Sequence, residues 1–232
     1  IHRVNSMGKV ILSGDGEKLI WCSGSKITQV KRTEPNRNVQ PIGVMGKTWL
    51  DLDASYTGNT WVATIDLPDF YKDGKRHCSP GRRIFAVQEK TEKGTATTYP
   101  VLDVPNCRFI NMARLINDST IIYNYNDFGI FESVKKGDTW TNKKILPVEY
   151  KLVRQPVAKE QERLVVWKRI GDDNSGEFEL LLSDKVDGEW TTPSPIVEDF
   201  RINCGPWHSA ISPDGNKIVY LLYHRDKEQK II

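Results

Sequence analysis

A short hairpin pattern recurs along this chain, and the recurrence limits the fold more than any other feature. In "HSAISPDGNKIVY", residues 208–220, the apolar pair Ala210 and Ile211 runs into Ser212-Pro213-Asp214-Gly215, and Ile218, Val219 and Tyr220 resume a β-rich run. Proline and glycine supply the dihedrals of a turn, so the stretch reads as two strands around a tight reversal. The same order of turn, polar residue and apolar β-formers returns in "GDGEKLIW" (14–21), "TGNTWVA" (57–63), "NDSTIIY" (117–123) and "EQERLVVW" (160–167). Aligned on Trp21, Ala63, Tyr123, Trp167 and Tyr220, the copies lie 42, 60, 44 and 53 positions apart.

A second strand follows each copy, in "KITQVKR", "RRIFAVQEK", "FGIFESVKK", "FELLLSDKV" and "QKII"; a third follows in "ATTYPVL", "DTWTNKKIL" and "EWTTPSPI". Short stretches such as "KVILS", "MARL" and "QPVA" precede the copies as a further strand. Units of about 40 to 50 residues with four strands each are the pattern of propeller blades. One twisted sheet cannot bury both faces alone, whereas blades packed face to face around an axis can. The sequence therefore predicts an all-β fold, a five-bladed β-propeller of four-stranded antiparallel blades, with units near 7–42, 47–102, 108–147, 152–197 and 206–232. The last unit ends one strand short, and residues 1–6 are expected to complete it, so that the terminal strands close the ring and remove an exposed edge. Trp21, Tyr123, Trp167 and Tyr220 are read as equivalent residues packing between blades.

Composition agrees with this reading. Valine, isoleucine, threonine, tyrosine and tryptophan are plentiful, turn residues interrupt the chain every few positions, and no convincing apolar period of 3.6 is present. The formal charge of +3 is dispersed, and its densest cluster, "DGKRHCSPGRR" (73–83), reads as a solvated loop rather than a nucleic-acid surface. No apolar run approaches the roughly 20 residues of a membrane helix, so no membrane insertion is expected. The start at Ile1 is read as that of a processed, trimmed or excised domain.

Cys22, Cys78, Cys107 and Cys204 lack the spacing of a zinc site, and neither a metal nor another cofactor is expected. They form two disulfides in an oxidising compartment or remain four buried thiols. Cys22 with Cys78 is the favoured pair, because a bridge from Cys107 to Cys204 has to cross the channel mouth. The triplet "NDS" (117–119) is a weak acceptor signal for N-linked sugar.

The motifs resemble known repeat families. "ISPDGNKIVY" resembles the S-P-D-G turn of TolB-like propeller repeats, with "LSGDGEKLIW" a weaker relative that lacks the proline. "SVKKGDTW" (133–140) and "SDKVDGEW" (183–190) resemble degenerate Asp-box hairpins of sialidase-type propellers; Lys135 stands where the aspartate belongs, while Gly188 and Trp190 are in place. The resemblance implies a propeller, and the three-arginine site and the catalytic tyrosine and glutamate of sialidases have no counterpart. Oligogalacturonate lyases have similar repeats and hold a metal with inner-loop histidines; this chain has four scattered histidines and no matching set.

In such a ring, the segments leading from one blade to the inner strand of the next gather at one channel mouth, where ligands bind most often. Those segments hold Arg3, Arg108, Asn111, Arg154, Arg201, Asn203, Trp207 and His208. Arginine offers a planar donor fork to carboxylates, amides pair with hydroxyls, and aromatic faces stack on sugars. These eight residues are the expected ligand site, for a carbohydrate, a small acidic ligand or a protein; the alternative for each one singly is that it hydrogen-bonds neighbouring loop backbone and lines a water-filled channel. Candidate catalytic carboxylates are Asp51, Asp53, Glu149 and Asp199. Asp51 and Asp53 point to one side of a strand and would raise each other's pKa if that side faced the channel. Alternatively they bond backbone or pair with Lys47.

The leading expectation is thus a non-catalytic, monomeric binding module located outside the cytoplasm. Two alternatives stay open: a glycan-active hydrolase or lyase using the mouth carboxylates, and a scaffold domain of a larger envelope assembly.

Overall fold

The computed structural model describes residues 10–23, 26–33, 41–44, 49–66, 70–72, 75–78, 82–88, 97–98, 110–125, 128–137, 139–171, 177–196, 209–224 and 227–231. All the regular structure among them is β, as expected. The chain divides into two compact units, residues 1–126 with 133–142, and residues 127–132 with 143–232.

In the first unit β1 (Val10–Leu12), β2 (Lys18–Ser23), β3 (Lys26–Lys31) and β4 (Pro41–Val44) form an antiparallel meander in that order. Then come β5 (Trp49–Ala54) and β6 (Thr60–Asp66), the hairpin β7 (Phe70–Lys72) and β8 (Lys75–Cys78), and β9 (Arg82–Gln88) and β10 (Thr97–Thr98). The second sheet has the order β10-β9-β6-β5, and the β7–β8 hairpin is an insertion between two of its strands. Much of the cationic stretch read as a loop is therefore paired backbone. The third sheet, β11 (Ile110–Asn117), β12 (Thr120–Tyr125), β13 (Gly129–Lys136) and β14 (Thr139–Leu146), runs in chain order.

In the second unit follow β15 (Lys151–Ala158), β16 (Arg163–Ile170), β17 (Glu177–Val186), β18 (Glu189–Trp190), β19 (Ser194–Pro195), β20 (Ala210–Ile211) and β21 (Ile218–Val219). They form one sheet in the order β18-β17-β16-β15-β20-β21, with β19 also on β17. β22 (Leu221–His224) and β23 (Lys227–Ile231) pair separately. The expected fourth and fifth blades are therefore not separate four-stranded sheets, because β15 and β20 pair, and none of the described sheets is closed on itself. Residues 1–6, assigned the closing strand, lie outside the described residues.

The hairpin turns are one structure used repeatedly. In Ser13–Lys18, the Ser13 N–H donates to the Lys18 carbonyl (2.9 Å) and the Gly16 N–H to the Ser13 carbonyl (2.9 Å). The Ser13 hydroxyl donates to Asp15 (2.5 Å) and accepts the Lys18 N–H (2.9 Å), while Asp15 accepts the Glu17 N–H (3.0 Å). Ser212–Lys217 repeats every one of these bonds, at 2.8, 2.9, 2.5, 3.0 and 3.2 Å. Gly16 and Gly215 both adopt φ 72°, a left-handed conformation that costs glycine little. Ser55–Thr60 keeps the serine and the glycine, with Thr57 in the aspartate's place.

Neighbouring turns also meet in one way. The Asp15 N–H donates to the Tyr56 carbonyl (3.0 Å) in the first unit, and the Glu160 N–H to the Pro213 carbonyl (3.0 Å) in the second. Each bond joins the third residue of one six-residue turn to the second residue of the next. The pairwise stacking is thus a property of the repeat, present even where Ala158–Arg163 has lost the serine and glycine.

Counting strand positions from these turns corrects one expectation. Trp21, Tyr123 and Tyr220 are equivalent, but Trp167 lies one position further along β16, on the opposite face. There it joins Val153, Ala158, Val165, Phe178 and Leu180 in the core, with Ile211, Ile218 and Tyr220 packed against them. Trp167 meets Phe178 edge to face (5.0 Å between centroids, 85° between planes), a geometry worth about 0.5–1.5 kcal/mol beyond burial. A one-residue slip in the alignment inverts the face, because side chains alternate along a strand.

Candidate functional site

The first strand of each repeat is the natural base for a site, and three such strands break register with their hairpin partners. β5 breaks register between Trp49 and Asp51, and β11 between Asn111 and Arg114. In the latter bulge Met112 takes φ 54°, an uncommon conformation for a residue with a side chain. The largest irregularity is in β15, where Val153–Pro156 oppose the single residue Val165 of β16. Bulges re-aim side chains and interrupt pairing, and they concentrate next to binding sites. Asp51, Asn111 and Arg154 fall within or beside these three bulges.

The β15 bulge has a second consequence. Freed from β16, Gln155 pairs in parallel with Ala210 of β20, in a blade array read as wholly antiparallel. Proline at 156 has no N–H to give a ladder, which favours the break there. Parallel strands start from the same end, so Pro147–Tyr150, which precedes β15, and Ser209, which precedes β20, lie toward one end of this sheet. Arg154 is exposed on the bulge, and Glu149 is exposed in a turn closed by the Tyr150 N–H to the Pro147 carbonyl (3.2 Å). Ser209, one residue before β20, is buried, and its hydroxyl has no hydrogen-bond partner among the described residues.

Asp53 stands apart from this group. It is buried near the hairpin end of β5, and its carboxylate accepts the Leu115 N–H of β11 (2.8 Å). This is the backbone bond that the sequence left as the alternative to a role in the channel. Asp51 is on the same strand nearer its start. Arg3, Arg108, Arg201, Asn203, Trp207, His208 and Asp199 lie outside the described residues, as do the side chains of Asp51 and Asn111. Cys22 is the next-to-last residue of β2 and Cys78 the last residue of β8; their side chains, and residues 107 and 204, are likewise outside the description.

Two buried polar groups have partners that the sequence did not indicate. In the first unit, Tyr123 donates to Asn142 (3.3 Å), which also accepts from Ser133 (2.7 Å); burial, and secondarily Tyr125, pushes the Tyr123 phenol well above its ordinary pKa. In the second, the buried Glu132 accepts from Lys185 (2.8 Å) and from the Trp190 indole (3.2 Å), with the Lys185 ammonium 5.7 Å from the Trp190 ring. Lys185 and Trp190 belong to the Asp-box-like segment, whose Asp187 (φ 51°) and Gly188 (φ 82°) form a tight two-residue hairpin turn. Isolated spacing gives little sign of the Glu132 partners, because Lys185 and Trp190 lie more than 50 positions away. Among the described residues no group of three or more His, Cys, Asp or Glu side chains could hold a metal ion, and no helix is long and apolar enough to cross a membrane.

No family model matches the chain, and no curated protein does. The solved structures do show likeness. TolB from Acinetobacter baumannii aligns with a TM-score of 0.54 at 13% identity, over 97% of this chain and 52% of that one. The acylaminoacyl peptidase of Pyrococcus horikoshii aligns at 0.60 and 12%, over 96% and 38%, and a puromycin-hydrolyzing peptidase of Mycobacterium tuberculosis at 0.59 and 12%, over 96% and 35%. The chain therefore spans about half the length of the TolB chain and less than two fifths of either peptidase. At such identities the likeness is one of fold: the fold-level resemblance to TolB, first suggested by the S-P-D-G turn, is shown, and the peptidase β-propeller structures share it.

Proposed function

We propose that this propeller-like domain is a non-catalytic binding module that recognises an acidic or polyhydroxylated ligand, and that its second unit holds the ligand where β15 and β20 begin. The observation that supports this reading is the exposed Arg154 on the four-residue bulge of β15, level with Ser209 through the parallel register. Arg201, Asn203, Trp207 and His208 occupy the sequence immediately before β20, so connectivity limits how far they can lie from that end of the sheet. An arginine fork, an amide and an indole are the groups that carboxylates and sugar hydroxyls select.

The test is a thermal-shift panel of uronic acids and of acidic and neutral oligosaccharides, with product analysis of each hit. A ligand that prefers the folded state raises Tm. Stabilisation without turnover, lost in Arg154→Ala while the Tm of the free protein is kept, is the expected result. Unchanged affinity in Arg154→Ala moves the site elsewhere, and cleavage of a ligand replaces the binding module with an enzyme.

A further inference from the structure

The chain contains four Asp-Gly pairs, at Asp15–Gly16, Asp73–Gly74, Asp187–Gly188 and Asp214–Gly215. Such a pair can react with itself, because a glycine carries no side chain to keep its backbone nitrogen from the preceding carboxyl group. The nitrogen attacks the aspartyl Cγ, a C–N bond forms, and one carboxyl oxygen leaves as water with the glycine N–H hydrogen and the acid proton. Water then opens the five-membered imide at either carbonyl. Opening at Cγ restores aspartate, and opening at the backbone carbonyl routes the main chain through Cβ as isoaspartate. The sequence makes the four pairs alike; the structure separates them.

Two pairs are tied at both reacting groups. The Asp15 carboxylate accepts the Ser13 hydroxyl (2.5 Å) and the Glu17 N–H (3.0 Å), and the Gly16 N–H is donated to the Ser13 carbonyl (2.9 Å). The Asp214 carboxylate accepts the Ser212 hydroxyl (2.5 Å), the Asn216 N–H (3.2 Å) and the Asn216 side-chain amide (3.2 Å), and the Gly215 N–H is donated to the Ser212 carbonyl (2.9 Å). These bonds favour the charged carboxylate, the less electrophilic form, and they hold the Asp214 carboxyl below its ordinary pKa. Ring closure at either site has to break bonds at the electrophile and at the nucleophile.

Asp187 has neither restraint. Among the described residues no hydrogen bond reaches its carboxylate or the Gly188 N–H, and both residues are exposed. The turn they form is closed by β18, a strand of only two residues, so bringing the Gly188 nitrogen round to Cγ opens little structure. Asp73–Gly74 lies outside the described residues.

We infer that Asp187 is a site of spontaneous modification, cyclising with Gly188 and reopening as isoaspartate in the folded protein, while the serine-closed turns shield Asp15 and Asp214. The product has one more backbone atom in a two-residue turn. That atom ends the match of Val186 with Glu189 and of Lys185 with Trp190, and with it the hold of the Trp190 indole on the buried Glu132 (3.2 Å).

Ageing the folded chain in heavy-oxygen water tests the inference, because both products of imide opening then carry one heavy oxygen. Peptide mass spectrometry reads the label at each aspartate, and fragmentation distinguishes isoaspartate from aspartate. Labelling at Asp187 is expected to be about tenfold or more faster than at Asp15 or Asp214, the factor for a ring closure that breaks fewer hydrogen bonds. In concentrated urea the turns are lost and the three rates are expected to converge. Ser212→Ala removes the hydroxyl from Asp214, and labelling there is expected to rise severalfold with Asp187 unchanged. Labelling of Asp15 or Asp214 that keeps pace with Asp187 in the folded protein overturns the inference. So does an order that persists in urea, which assigns the difference to flanking sequence, or a Ser212→Ala variant whose Asp214 rate does not move. None of these readouts depends on the ligand site proposed above.

Discussion

The carboxylate of Asp53 accepts the backbone N–H of Leu115 at 2.8 Å, and each residue stands two positions ahead of its own hairpin turn. The bond pins the β5–β6 hairpin to the β11–β12 hairpin at their turn ends, inside the first unit. Replacing Asp53 with alanine leaves a buried N–H without an acceptor, which costs about 1–3 kcal/mol. Asp53→Asn keeps an acceptor oxygen and loses less. Urea unfolding of the two variants checks the order; equal losses would mean that the carboxylate charge, rather than the hydrogen bond, matters.

Lys185 and Glu132 make the corresponding buried pair in the second unit. Removing one partner strands the other charge, so Lys185→Met is expected to cost about 3–5 kcal/mol. The double variant Glu132→Gln, Lys185→Met restores neutrality and is expected to lose less than the two single losses added together. Denaturant unfolding in a double-mutant cycle measures the coupling, and strict additivity would show that the ion pair contributes nothing.

Gly129 has φ 116°, and a Cβ placed there would sit 2.2 Å from the Leu146 carbonyl oxygen and 2.9 Å from the Pro147 carbonyl carbon. Both obstacles are backbone, so no rotamer change relieves them. Gly129→Ala is expected to lose about 1–3 kcal/mol from the φ alone, and more from the overlap. Gly137→Ala is the control, since it also has a positive φ (59°) but open space around it. A smaller loss in Gly129→Ala than in Gly137→Ala contradicts this packing.

The Ser212 hydroxyl, and after it the Asn216 N–H, holds the Asp214 carboxyl below its ordinary pKa. A depressed folded-state pKa stabilises above the unfolded value of about 3.9, and that stabilisation is lost as pH falls through the lower folded value. The parent is therefore expected to exceed Asp214→Asn in Tm near neutral pH, with the difference shrinking in acid below the ordinary carboxylate range. Tm measured against pH for both proteins checks the sign; a gap that widens in acid reverses it.

The strands and turns were legible because they rest on local chemistry. Ser212-Pro213-Asp214-Gly215 and Ser13-Gly14-Asp15-Gly16 close almost the same set of hydrogen bonds among six neighbouring residues, so the sequence of each turn is enough to specify it. The candidate site was legible only in its composition. Arg154 was chosen for its residue type and its place ahead of a hairpin, and nothing nearby in sequence announces that Val153–Pro156 oppose a single residue of β16.

What the chain by itself determined, then, is the repeat: where strands start, where they turn, and that sheets must cover one another to be buried. Tertiary structure alone decided which face each side chain serves. Trp167 differs from Tyr220 by one position along a strand and packs from the opposite side; Asp53 finds its partner 62 residues away. A side chain's face depends on a register of period two, and a single inserted or deleted residue in a turn or bulge reverses it. Local propensity is almost blind to that one-residue difference, whereas packing between sheets is not.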